Sequence, residues 1–180
     1  VNPLHGELVR LAQVERGNLE SYKRWFRDYE VQRFLALPAL PVTDEFEEQW
    51  YERVSANPDR YLLAIRTLAD DRLIGNCGLF NIDHRNHSAE FGIVIGEKDC
   101  WGKGFGTDAC RIMLRLAFDE FNLNRVQLHV YAFNPRARRA YEKAGFVYEG
   151  TYRQLVYREG QYHDAHVMAA LREEWKASNR

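Results

Sequence analysis

Cysteine is scarce in this 180-residue chain: Cys77, Cys100 and Cys110 form an odd, widely spaced set with no Cys-x-x-Cys pair. That argues against a disulfide framework and against a thiolate metal site. No apolar run approaches the ~20 residues that span a bilayer, and no signal-type hydrophobic segment stands at the N-terminus, so the expectation is a soluble, cytoplasmic protein with no membrane attachment. Charge of neither sign dominates. A formal net charge of -1 leaves no electrostatic footprint for general nucleic-acid binding. Repeats, low-complexity tracts and linkers are lacking too, so residues 1–180 read as one domain, and 46% hydrophobic with 13% aromatic supplies its core. The expected partner is small.

The pattern along the chain is that of a mixed α/β domain. Residues 6–14 read as an opening strand, followed by helices over 19–29 and, from Thr43 as N-cap, over 43–55. Pro38 and Pro41 break helix across 37–42. Strands over 61–68, 73–82 and 88–95 are separated by turns at 70–71 and 83–87, short enough to imply an antiparallel meander. Residues 107–123 carry Cys110, Leu114, Ala117, Phe118 and Phe121 at helical spacing, with Asp108, Arg111, Arg115 and Asp119 expected on a solvated face. Residues 125–133 alternate as a half-buried strand, so this strand-helix-strand order implies a parallel pair joined by a right-handed crossover. Asn134 and Pro135 open a helix that Gly145 closes. Strands over 147–158 and 162–171, around a turn at 159–160, form a closing hairpin.

One stretch resists a purely structural reading. In Cys-Trp-Gly-Lys-Gly-Phe-Gly-Thr, residues 100–107, glycines alternate at 102, 104 and 106 directly before a helix. Free N–H groups and the positive end of a helix dipole suit a phosphate there. A Walker loop is excluded because Lys103 precedes the last two glycines. A dinucleotide fingerprint is excluded by Thr107 and by the lack of an acid in 125–133. A pyrophosphate clasped by successive backbone amides fits; so does a glycine-rich turn with no ligand.

Ala-Glu-Phe-Gly-Ile-Val-Ile-Gly-Glu-Lys-Asp-Cys-Trp-Gly-Lys-Gly-Phe-Gly-Thr-Asp-Ala, residues 89–109, followed by Asn-Pro-Arg-Ala-Arg-Arg-Ala-Tyr-Glu-Lys-Ala-Gly-Phe, residues 134–146, resembles the GNAT family of acyl-CoA N-acyltransferases. The likeness runs from about residue 7 to 175 and is greatest to the branch of ribosomal-protein N-terminal and spermidine acetyltransferases. Trp101 departs from the family's Arg/Gln-x-x-Gly-x-Gly/Ala at its first position, yet leaves the backbone cradle in place. The resemblance implies a mostly antiparallel sheet with a splayed parallel pair that holds acetyl-CoA. Pantetheine would pair with backbone at Ile93, Val94 and Ile95. Its pyrophosphate would lie on the loop Trp101, Gly102, Lys103, Gly104, Phe105, Gly106 and Thr107, with Lys103 and Arg138 as counter-charges. No metal is implied, and His84 and His87 read as solvent-facing.

Acyl transfer to an amine needs a neutral nucleophile, a stabilised oxyanion and a proton for the departing thiolate. Glu90 is the best candidate base, directly or through water; the resemblance assigns the oxyanion to a backbone N–H near Val94 and the acid to Tyr141, with Asn134 adding a cofactor contact to its capping role. By spacing alone Tyr141 shares an apolar face with Ala137, Ala140 and Ala144 and is a core tyrosine, while Glu90 is equally a solvated or substrate-binding carboxylate. The implied activity is acetyl transfer to a protein N-terminus or small-molecule amine; a non-catalytic acyl-CoA-binding module of the same fold is the alternative. Asp44, Glu45, Glu47 and Glu48 could face a polycation or simply complement a helix dipole. The closing hairpin offers a surface for a homodimer.

Overall fold

The computed structural model describes residues 2–36, 43–56 and 61–178, so the expected helix break at 37–42 lies outside the described residues. Strands β1 (Val9–Gln13), β2 (Tyr61–Thr67), β3 (Leu73–Asp83), β4 (Ser88–Ile95), β5 (Arg125–Tyr131), β6 (Val147–Arg158) and β7 (Gln161–Leu171) form one sheet in the order β1-β2-β3-β4-β5-β7-β6. Only β4 and β5 run parallel; all other neighbours are antiparallel. The β2–β3–β4 meander forms as its short turns require. Asp83 Oδ1 accepts from the amides of Arg85 and Asn86, both at 2.9 Å, and holds the second turn closed.

Helix α1 (Leu19–Arg27) stops before the expected 29 because Asp28 is extended and its side chain caps a separate short turn, α2 (Tyr29–Gln32). Thr43 Oγ1 accepts from Phe46 N at 3.2 Å and starts α3 (Asp44–Ala56). Together α1 and α3 cover one face of the sheet with Tyr22, Trp25, Phe26 and Trp50. The other face is covered by α4 (Phe105–Arg115) and α5 (Pro135–Ala144), packed on Leu11, Ile65, Phe91, Leu128 and Met168. Helix α4 begins two residues before the expected position, since Gly104 at φ 91° serves as N-cap, and it widens into a π-helical turn over Leu116–Glu120. A final helix, α6 (Arg172–Ser178), follows β7 beyond the expected elements; Trp175 seats it against Phe118 at 5.5 Å.

Asp108 corrects the expected solvated face of α4. It is buried, and its carboxylate accepts the amides of Glu7 at 3.1 Å, Leu8 at 2.8 Å and Val9 at 3.0 Å. These amides lie where the chain enters β1, and the carboxylate, in the first turn of α4, satisfies them while complementing the helix dipole.

Candidate active site

The parallel pair is joined only near its start. β4 meets β5 at Ser88↔Arg125, Ala89↔Val126 and Glu90↔Gln127, while β3 holds β4 as far as Ile95 and β7 holds β5 as far as Tyr131. Each strand follows its other neighbour, and the twist opens a fork beyond Glu90. Hydrogen bonds at the two ends of β4 orient its edges. The amides of Asn124 and Arg125 donate to His87 O, and at the far end Gly96 N donates to Ile74 O across β3. Strand alternation then turns the N–H and C=O of Phe91, Ile93 and Ile95 into the fork, and those of Gly92 and Val94 toward β3. The gap-facing amides near Val94 are therefore those of Ile93 and Ile95. The Val94 side chain joins the α1/α3 cluster instead.

At the open end of the fork Trp101 Nε1 donates to Ile95 O at 2.7 Å. Gly102 and Gly104 have φ of 73° and 91°, the left-handed region that a Cβ disfavours. Gly106 does not share this constraint, and a Cβ there would make only an ordinary 3.7 Å contact with Ile95. All three line a cleft of about 1050 Å³ that passes through the fork. Among the described residues nothing requires glycine at 106, so its bare backbone leaves the first turn of α4 open to an occupant of the cleft. That fits an acyl-CoA pyrophosphate on free helix amides. Thr107 Oγ1, at 3.4 Å from Ala140 O, ties this turn to α5.

The cations at this end are not those expected. Lys103 is exposed and does not line the cleft, and Phe105 packs its ring against the core. Arg138 turns away to pair with Glu142 at 3.0 Å and lies over the Tyr148 ring. Arg111, Arg139 and Lys143 line the cleft instead. The signal for two of these was in the helical period: residues 136, 139, 140 and 143 form one stripe beside the buried Tyr141, while 138 and 142 fall on its far side.

Tyr141 lines the cleft from α5 at the level of the fork, edge-on to Phe91 at 6.4 Å and to Phe146 at 5.9 Å. Burial, and secondarily the neighbouring Cys110, hold its phenol well above the usual range and so in the protonated form. Glu90 enters the same cleft from the opposite face of the sheet, half-buried, with Asn81 Nδ2 donating to its Oε2 at 3.0 Å. Asn134 also lines the cleft; its Oδ1 accepts from Ala137 N at 3.2 Å as the α5 cap. Fold and fork thus bring Glu90, Tyr141, Asn134 and the glycine loop to one cleft.

On the α1/α3 side the walls are aromatic, with Phe26, Phe34, Trp50 and Phe80. The acids of α3 do not serve this chamber. Asp44 pairs with Lys23 and Arg27, Glu48 pairs with Arg16, and Glu45 is exposed outside the cleft. Glu47 is fully buried, neither of its carboxyl oxygens has a hydrogen-bond partner among the described residues, and burial pushes it up to about 7 against the pull of Lys23 and Arg27. The native state therefore holds this proton between roughly pH 4.5 and 7, and the stability it contributes falls as pH rises through that window. Glu47→Gln is expected to stabilise the protein at pH 8 by about 1–3 kcal/mol, with the gain shrinking toward pH 5. Thermal denaturation at both pH values checks this, and a pH-independent difference in Tm would refute it.

Cys77, Cys100 and Cys110 are buried free thiols, and His84 and His87 are exposed. Among the described residues no group of three or more His, Cys, Asp or Glu is placed to hold a metal, and no helix is long and apolar enough to cross a membrane.

A sheet forked between parallel strands, a glycine-capped helix at the fork and a cleft through both make up the candidate site. The sequence matches the acetyltransferase (GNAT) domain over residues 9–147, and the chain belongs to that family. It is 30% identical over 167 residues to a spermidine N(1)-acetyltransferase of Vibrio cholerae, covering 93% of this chain and 95% of that one. It is 38% identical over 109 residues to the putative ribosomal N-acetyltransferase YdaF of Bacillus subtilis, covering 61% of this chain and 59% of that one. A crystal structure of spermidine N-acetyltransferase from Vibrio cholerae in complex with CoA and spermine superposes with a TM-score of 0.86 at 27% identity, over 93% of this chain and 98% of that one. The protein is an N-acetyltransferase that uses acetyl-CoA to acetylate amines.

Proposed function

We propose that the chain, acting as a single domain, acetylates the primary amine of a small molecule or a protein N-terminus by direct transfer at the fork. The carrying observation is that Glu90 and Tyr141 reach one cleft from opposite faces of the sheet, on either side of the edge whose Ile93 and Ile95 amides face inward. Glu90 takes the proton of the incoming ammonium, directly or through water. An inward amide donates to the thioester oxygen as it gains charge. Tyr141 gives its proton to the sulfur as the C–S bond breaks. Asn134 and the α4 amides hold the cofactor. Cys110, although it lines the cleft, is a poor acyl carrier: burial drives its thiol well above the usual range and keeps thiolate scarce. Exposed Tyr148, Tyr152, Leu155, Tyr157 and Tyr162 on β6 and β7 support a homodimer through the hairpin. A cytoplasmic location agrees with the free thiols.

Glu90→Gln tests the base. An α-amine with a pKa of roughly 8 is about one-tenth neutral near pH 7, an alkylamine near 10.4 only about once in 2,500 molecules. The substitution should lower kcat/KM by ~10²-fold at pH 6.5 and by less than about fivefold at pH 9.5, where free amine is supplied by the solvent. Thiol release with an amine panel and acetyl-CoA provides the readout. A loss that is uniform across pH would assign Glu90 to binding or structure.

A further inference from the structure

The cation of Arg136 stands apart from the other charges of the cleft. It projects from the first turn of α5, half-buried, with its guanidinium carbon 3.8 Å from the centre of the Trp101 ring and 5.4 Å from that of Phe34. Among the described residues no carboxylate pairs with it, nor with Arg111, Arg139 or Lys143 elsewhere in the cleft, but of these four only Arg136 lies over aromatic rings. Outside the cleft Arg72 is held by Glu97 and Asp99, Arg24 by Glu97, and Arg138 by Glu142. Trp101 packs with the α1/α3 aromatic cluster rather than with α4, which places Arg136 at the rim of the aromatic chamber. Desolvation there lowers its affinity for its proton, the expected mark of a cation lacking a counter-ion.

We propose that Arg136 selects the acceptor: its guanidinium receives the carboxylate of an amine that also carries an aromatic or similarly bulky apolar group, and it repels amines with a second positive charge. This rests on the proposed acetyl transfer at Glu90 and Tyr141. Phe26, Trp50 and Phe80 offer apolar walls for the ring, and a planar fork stacked on an indole is pre-organised for two parallel bonds to a carboxylate. Glu90 is the one carboxylate that the described residues bring to this half of the cleft, so the second ammonium of a polyamine would meet no acid and would face Arg136. Two alternatives compete with this inference. The aromatic walls could hold an extra ammonium by cation–π attraction. Arg136 could instead serve the phosphates of the cofactor.

Phenylalanine, phenethylamine and spermidine separate these readings. Steady-state kinetics with the full chain should give kcat/KM for phenylalanine at least ~10-fold above phenethylamine and ~10²-fold above spermidine. Arg136→Gln should raise KM for phenylalanine by ~10-fold or more with kcat little changed. Phenethylamine should stay within about twofold, and Arg136→Lys should recover part of the loss. Acetyl-CoA affinity by calorimetry should be the same in all three proteins. Preference of the wild type for spermidine, an equal KM rise for every amine, or a weakened acetyl-CoA affinity in Arg136→Gln would each overturn the assignment. Titration of phenylalanine into the CoA-loaded protein keeps the two levels apart. Arg136-dependent binding with no turnover of any amine would support the recognition site and refute the transfer reaction, whereas turnover without such binding would do the reverse.

Discussion

Replacing Tyr141 with phenylalanine is expected to lower kcat by ~10²-fold or more, with melting temperature and acetyl-CoA affinity nearly unchanged. The phenol lines the cleft at the fork and is buried among Phe91, Phe146 and Cys110. Those surroundings disfavour the phenolate, so the proton stays on the oxygen until a stronger base arises beside it. A thiolate released at the fork, its charge poorly solvated in the same apolar setting, is such a base. Phenylalanine keeps the edge-on ring contacts and removes only the hydroxyl, which separates chemistry from packing. The predicted signature is a fall in kcat with KM for acetyl-CoA held, measured by thiol release under saturating amine. Near-normal turnover in the variant would reduce Tyr141 to a core tyrosine and require water to protonate the sulfur.

What was legible in the sequence depended on whether a residue's role is set by its own segment. The meander from 61 to 95 could be read from alternation and from turn residues such as Asp83, because strand period and turn chemistry are local properties. The Asn134-Pro135 cap and the Gly145 stop were local in the same sense. Properties that depend on a partner element were less visible. The insertion of β7 between β5 and β6 is a choice of edge, and a hairpin read from its turn does not say which of its strands docks. Helical spacing placed Asp108 opposite the core face but could not show that the amides entering β1 would meet it there. The glycine loop was identified, yet its three glycines serve different ends: left-handed backbone at 102 and 104, and an open cradle at 106. Which amides near Val94 face the fork could not be read from the motif, because strand parity is set by hydrogen bonds to other elements, from the amides of Asn124 and Arg125 to His87 O and from Gly96 N to Ile74 O. Of the three arginines at the start of α5, Arg136 and Arg139 line the cleft and Arg138 does not, because the helix rotates successive side chains by about 100°.

Asp108→Ala is expected to destabilise the protein by about 2–4 kcal/mol and to weaken acetyl-CoA binding by ~10-fold or more, although Asp108 belongs to neither the base nor the acid. One carboxylate satisfies three amides of the segment leading into β1; alanine would leave the buried Val9 amide unpaired and the part-buried amides of Glu7 and Leu8 without their acceptor. Each orphaned amide costs ~1 kcal/mol or more, and the favourable charge in the first turn of α4 is lost with them. The effect on binding follows from position. Asp108 lies in the first turn after Gly104 and clamps that turn to β1, so removing it frees the amides proposed to hold the pyrophosphate. Gly6 gives an independent handle on the same clamp. A Cβ at Gly6 would collide with the Asp108 carboxylate, so Gly6→Ala should reproduce the loss in direction, and Asp108→Asn, which keeps one carbonyl acceptor, should fall between wild type and alanine. Urea denaturation gives the stability and calorimetry the affinity. If Asp108→Ala unfolds within about 1 kcal/mol of wild type, the amides find water instead, and the clamp does not hold the cradle.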